Sequence, residues 1–223
     1  MDYDWTFRHF EQILIKAKKE KYRFLTLSQY YASIKKNKKL SKRIILLRHD
    51  IDDTYERTRG FFEAEKRIGV KATYFFRVHA DYNLFSYKNY GLLKEIQEDG
   101  HEIGLHTEVM EFKHVHEENT LELLKKEITI LQTILGEKIK GIAPHRDLSY
   151  KKNTLPFIEK LNLKKIGVEY QSYDPAFTKE FRYINEGLSP HVRWSNGSPE
   201  EWIGKEDKLY ILTHPRWWYW KHY

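Results

Sequence analysis

The chain has 223 residues, 40% hydrophobic and 15% aromatic, which is enough to bury the core of one large domain or two small ones and too apolar for a disordered chain. No apolar run approaches the roughly 20 residues a membrane span needs, and the absence of Cys excludes disulfides, thiolate metal sites and Cys nucleophiles. The net charge of +7 is uneven: residues 1–48 hold 13 Lys/Arg against 4 Asp/Glu, the remainder 26 against 28.

From the N terminus, MDYDWTFRHF is polar and aromatic and lacks the apolar stretch of a secretion signal. Together with the missing cysteines this leads to the expectation of a cytoplasmic protein. Trp5–Glu20 places Phe7, Phe10, Ile13, Leu14 and Ala17 on one helical face. A second short helix, LSQYYASIKKN, follows Thr26. The basic charge is densest at KKNKKLSKR, Lys35 to Arg43. It reads as a solvated helix end and linker, because no aromatics interleave with it as a stacking surface for nucleic acid requires. No nucleic-acid partner is expected. Residues 1–43 are read as a basic helical extension and 44–223 as the main domain.

Strands and helices then alternate. RIILLRH, KATYFF, HEIGLH, IKGIAP, KKIGVEY, FRYIN and KLYILTH read as strands. Between them lie helical patterns, such as TYERTRGFFEAEKRIG, YKNYGLLKEIQEDG, NTLELLKKEITILQTILG and KNTLPFIEKLN. Such alternation predicts an α/β fold with a parallel sheet, either an irregular (β/α)7-type barrel or an open doubly wound sheet. Both place ligands at the carboxyl ends of the strands.

The chemistry-bearing residues cluster at those ends. The first strand runs into His49, Asp50, Asp52 and Asp53, the third into His106, Thr107 and Glu108, the fourth into APHRD, and the last into THPRWW. Imidazole and carboxylate without thiolate suit a divalent-metal site with an open position for water. Asp50 and Asp52, two apart in a strand, share a face. One could ligate a metal while the other takes a proton from bound water. Asp53 reads as the N-cap of the next helix, with Glu56 three residues on, and His49, on the opposite face from Asp50, as structural.

In this order RHDID, GHEIGLHT (Gly100 to Thr107), GIAPHR and YILTHP resemble the motifs of the polysaccharide deacetylase superfamily, also called the NodB-homology or carbohydrate esterase family 4 fold. A subset with RHD-x-D, GHEIGLH and LTHP-x-WW is closer still. The resemblance spans roughly Ile44 to Trp218 and implies a NodB-like irregular barrel, with one divalent ion, zinc or similar, and hydrolysis of an N-acetyl group on a sugar. It implies Asp50 as base, Asp52 and His106 as metal ligands, and His214 as the acid that protonates the amine.

The sequence departs from the family at Met110, where a second His would stand four residues after His106; thioether is a poor partner for zinc beside hard ligands. His145 is the candidate third ligand, with His114, His116 and Glu108 as alternatives. Arg146 could orient Asp50, clamp an anionic substituent of the substrate, or form a plain surface ion pair. Trp194, Trp217 and Trp218 could stack on a sugar ring or simply pack.

The expected activity is therefore metal-dependent removal of an N-acyl group from a sugar in polysaccharide biosynthesis. The substrate would be a sugar, a nucleotide-sugar or a lipid-linked glycan, and the basic N-terminal segment would tolerate phosphate. The alternative is a degenerate, non-catalytic saccharide- or nucleotide-sugar-binding member of the fold.

Overall fold

In a computed structural model, residues 4–53, 55–147, 151–187 and 192–220 are described. The chain opens with α1 (Phe7–Lys19), β1 (Arg23–Leu25) and α2 (Leu27–Lys35). Three strand–helix units and a further strand follow: β2 (Ile44–Ile51) and α3 (Tyr55–Ile68), then β3 (Thr73–Phe76) and α4 (Tyr87–Glu98). Next come β4 (Glu102–Thr107) with α5 (Val109–His116) and α6 (Thr120–Leu135), then β5 (Gly141–Pro144). A small ribbon, β6 (Arg146–Asp147) and β7 (Lys152–Asn153), precedes α7 (Leu155–Ile158), β8 (Tyr170–Gln171) and α8 (Pro175–Thr178). The chain closes with β9 (Arg182–Gly187), β10 (Arg193–Ser195), α9 (Pro199–Trp202) and β11 (Lys208–Thr213).

The main sheet runs β10-β9-β11-β2-β3-β4-β5-β8, with β1 added beside the first half of β2. Every pairing in it is parallel except β10 with β9. It curls into a half-barrel, the irregular α/β architecture expected, with β8 and β10 as its edges. Because the core strands are parallel, the carboxyl ends of β2, β4, β5 and β11 open onto one face. The basic run Lys35–Arg43 leads into the opposite end of β2 and is therefore far from that face. Lys42 and Arg43 there pair with Asp207, and Arg43 also with Glu20.

Local chemistry accounts for the elements. Thr26 and Gln29 form a capping box at α2, Ser86 caps α4 and Asn119 caps α6. Helix α6 ends at Gly136, whose φ of 74° needs a residue without a side chain. Gly104, inside β4, is required for another reason: a Cβ there would lie 2.4 Å from the Phe75 ring and 2.8 Å from the Gly141 carbonyl. All eight residues of β2 are buried, as befits a central parallel strand covered on both faces.

KKIGVEY is not a strand throughout: Leu163–Ile166 is a 3-10 turn stopped at Gly167 (φ 79°), and β8 begins at Tyr170. Its lysines are exposed and have no partner strand there. Helix α5 and the short strands β1, β6, β7 and β10 carry too few periods to announce themselves. The N-terminal segment shares the main core. Trp5 packs 5.1 Å from Trp194 and 5.2 Å from Trp218, and Phe10 sits 4.6 Å from Phe61. Among the described residues no helix is long and apolar enough to cross a membrane.

Candidate metal and proton-transfer site

Strand alternation sorts the end of β2. His49 turns to one face, where Nδ1 meets the Thr213 hydroxyl and Nε2 the Glu65 carboxylate, each at 2.6 Å. Glu65 also accepts from Tyr74. Arg48 and Asp50 turn to the other face. The Arg48 guanidinium grips Asp50 with two bonds, Nε to Oδ1 at 2.8 Å and Nη2 to Oδ2 at 2.6 Å, and both residues are buried. Burial would raise the Asp50 pKa; Arg48 and, after it, His106 outweigh this and hold it below its ordinary value. The Arg48 charge is boxed in by the Tyr173 ring at 4.6 Å and by Phe75, with the Tyr210 hydroxyl at 3.4 Å.

Beyond the strand, Asp52 meets two imidazoles. Its Oδ1 stands 3.3 Å from His106 Nε2 and 3.8 Å from His145 Nε2, and the His106 and His145 rings are 5.0 Å apart and nearly perpendicular. His106 Nδ1 donates to the Ala143 carbonyl at 2.9 Å. His145 Nδ1 faces Glu111 Oε1 at 3.0 Å. Both rings thus present Nε2 to Asp52, with Nδ1 engaged elsewhere. One ligand atom from each of the three residues fits within 4.8 Å. Despite its burial, Asp52 Oδ1 has no hydrogen-bond partner. An orphaned buried carboxylate oxygen facing two imidazole nitrogens fits a divalent cation with N/O ligands. Burial alone would raise the Asp52 pKa, but His106, His214 and His145 hold it well below the usual carboxylate range. Asp50 Oδ2 faces the same point, 3.6 Å from His106 Nε2.

His214 arrives from the end of β11. Glu186 on β9 takes its Nδ1 at 2.9 Å and its backbone N–H at 2.6 Å, and also accepts from the Trp218 indole. Burial lowers the His214 pKa, but Glu186 first, then Asp52 and Asp50, lift it to about 9. Asp50 and His214 thus favour each other's charged forms.

The other sequence candidates fall in varied places. Met110 is half-buried in the first turn of α5. Glu108 pairs with Arg77, which also donates to the Asp52 carbonyl at 3.0 Å. His114 and His116 are exposed on α5, with His116 against Phe112. Asp53 pairs with Arg216 at 2.9 Å and lies one residue ahead of position 54, which is outside the described residues, so its capping role is not described. Arg146 is exposed in β6; Arg48, and not Arg146, holds Asp50. Trp194 is 5% exposed and wedged against Trp5 and Trp218, so no ring face is open to a sugar. Trp218 is fully buried. Trp217 is half-buried beside Arg216, 5.0 Å from its ring. Sequence reading missed Arg48, Glu111 and Glu186. The first was findable, since it shares the two-residue period of Asp50 and Asp52.

A family model described as Polysaccharide deacetylase matches residues 36–166, more than half of the chain. The matched stretch includes Asp50, Asp52, His106 and His145 and stops short of His214. Among solved structures, the chain is similar to the Streptococcus pyogenes deacetylase PplD, determined in complex with acetate. The two are 18% identical over 93% of this chain and 82% of that one, with a TM-score of 0.52, a likeness of fold. A family 4 carbohydrate esterase from Bacillus anthracis is 18% identical over 77% and 67% of the two chains, with a TM-score of 0.46. No curated protein sequence matches the chain.

Proposed function

We propose that this chain, which belongs to the polysaccharide deacetylase family, is a metal-dependent hydrolase that removes an N-acetyl group from a sugar destined for a polysaccharide. The observation that carries the reading is the meeting of Asp52, His106 and His145 within 4.8 Å, around an Asp52 oxygen that has no other partner. Asp50 and His214 flank it, one negative and one positive.

When held by Asp52, His106 and His145, a divalent ion such as zinc supplies Lewis acidity toward the acyl carbonyl and makes water more acidic. The remaining work falls to the chain's own side chains. Asp50, kept ionised by Arg48, accepts the proton that the attacking water gives up. The water oxygen bonds to the acyl carbon. His214, kept protonated by Glu186, gives its proton to the nitrogen as the carbon–nitrogen bond breaks, leaving acetate and an amino sugar. Arg48 and Glu186 hold the base and the acid so that neither rotates away, a preorganisation that lowers the barrier for proton transfer.

Trp217 and the exposed Arg146 are the candidates for substrate contact, by stacking and by pairing with an anionic substituent. Arg146 follows His145 directly, so a phosphate on a nucleotide-sugar or lipid-linked precursor would meet it at the mouth. The basic N-terminal run opens on the other end of the sheet and has no part in this. A cytoplasmic site of action remains part of the proposal.

Met110 favours a second reading, a saccharide-binding member without turnover. One experiment separates the two: metal content and deacetylation of acetylated amino-sugar substrates, for the wild type and Asp50→Asn. One ion per chain in both proteins, with hydrolysis lost in the variant, supports the enzyme. A wild type purified without chelator that holds no ion and releases no acetate leaves the binding reading.

A further inference from the structure

We infer that Glu111 makes His145 a metal ligand: its carboxylate fixes the imidazole with Nδ1 protonated and Nε2 turned toward Asp52, so that the ligand missing at position 110 is supplied from another element. The inference rests on the proposed reading of Asp52, His106 and His145 as the metal's ligands.

The two imidazoles of the triad are oriented by different means. His106 lies inside β4, where its Nδ1 finds the backbone carbonyl of Ala143 on the neighbouring strand β5. A carbonyl accepts and never donates, so the sheet itself sets that tautomer. His145 lies past the end of β5, in the link to β6, and the partner of its Nδ1 is the Glu111 side chain at 3.0 Å.

Glu111 is well placed for this task. It is 5% exposed, and its second oxygen accepts from the Thr154 hydroxyl at 3.1 Å. Thr154 is fully buried and its backbone N–H returns to the His145 carbonyl at 3.1 Å, while the His145 N–H donates to the Thr107 carbonyl at 2.8 Å. His145 is thus held at its ring and at both of its backbone groups. A carboxylate behind a ligating imidazole also makes the metal-facing nitrogen more basic, which a neutral acceptor does less well.

Met110 and Glu111 are neighbours on the first turn of α5. The thioether at 110 is half-buried, while the carboxylate at 111 turns inward to the link carrying His145. Adjacent positions on one helix therefore withhold one imidazole and position another.

The test uses chelator-stripped full-length protein titrated with zinc against a chromophoric chelator. If the wild type takes no ion, the metal reading itself fails. If it takes one, Glu111→Gln is expected to weaken affinity by roughly 10–100-fold, with its thermal midpoint in chelator near that of the wild type. Thr154→Val, which removes the other contact of the carboxylate but leaves the carboxylate itself, is expected to weaken affinity by less than Glu111→Gln. The double variant Glu111→Gln/His145→Ala is expected to bind no more weakly than His145→Ala alone, because Glu111 acts through that ring. Wild-type affinity in Glu111→Gln, or additive losses in the double variant, overturns the inference. Should Glu111→Gln fail to fold, Glu111→Asp withdraws the carboxylate by one methylene and is expected to lose affinity; unchanged binding there overturns the inference equally.

Discussion

Arg48 and Asp50 stand two residues apart on β2 and face each other across one strand repeat, joined by bonds of 2.8 and 2.6 Å with neither exposed to water. Each group makes the burial of the other tolerable. Removing one leaves an uncompensated charge, which costs about 3–5 kcal/mol. Arg48→Met should therefore lower stability by that order in urea unfolding. It should also free the Asp50 pKa to follow its burial upward, moving the acid limb of the pH–rate profile to higher pH. An acid limb that stays in place in a folded Arg48→Met would show that Asp50 is not the base.

The Glu186–His214 pair predicts the opposite limb. The folded His214 pKa of about 9 lies above the ordinary 6.5. The contribution of the raised His214 titration to stability is thus present below about pH 6.5 while Glu186 is ionised, and is lost as pH rises through 9. Glu186→Gln should bring the His214 titration down toward the ordinary value, read by NMR of the imidazole in chelator-treated protein. The alkaline limb of activity should fall with it.

Two tryptophans expected to act alike should part company. Trp194 is packed between Trp5 and Trp218, so Trp194→Ala should cost about 3–5 kcal/mol by chemical denaturation. Trp217→Ala should cost far less stability and instead raise KM, because its half-buried ring lies at the end of β11 beside the site. Equal KM for Trp217→Ala and wild type would remove Trp217 from the substrate contacts.

His49 answers to stability and not to metal. His49→Leu would leave the Glu65 carboxylate and the Thr213 hydroxyl short of a partner, a loss of about 1–3 kcal/mol or more since one group is charged. Zinc affinity should be unaltered, since His49 faces away from Asp52. A fall in affinity larger than the fall in stability would mean that the two faces of β2 are coupled.

Much of this was readable from residues alone. The strand–helix alternation led to the curled parallel sheet, and the spacing of Asp50 and Asp52 put both on one face. What escaped depends on pairings between distant segments. Glu186 sits in FRYINEG without any local mark; the alignment of Asn185 with Leu212 is what carries it to His214. Glu111 falls in a stretch too short to read as a helix, and its meaning depends on the link after β5. Trp194 carries no local sign of its burial, because the Trp5 and Trp218 rings that cover it are distant in sequence. Arg48 was read as part of a strand, although an arginine in register with two aspartates on a buried strand calls for a partner among them.

The position of β11 has a consequence for how the protein is made. Strand β2 precedes most strands of the sheet in chain order, yet its neighbour along Ile44–His49 is Lys208–Thr213, which follows every other described strand. By the time Thr154 has been added, every member of the triad and Glu111 has been translated, whereas the proton donor follows some 60 residues later. During that interval one edge of the catalytic strand is unpaired and prone to wrong partners. A nascent chain could therefore acquire its metal ligands before it can complete a turnover, and a chain cut short before β11 would have the ligands without the acid.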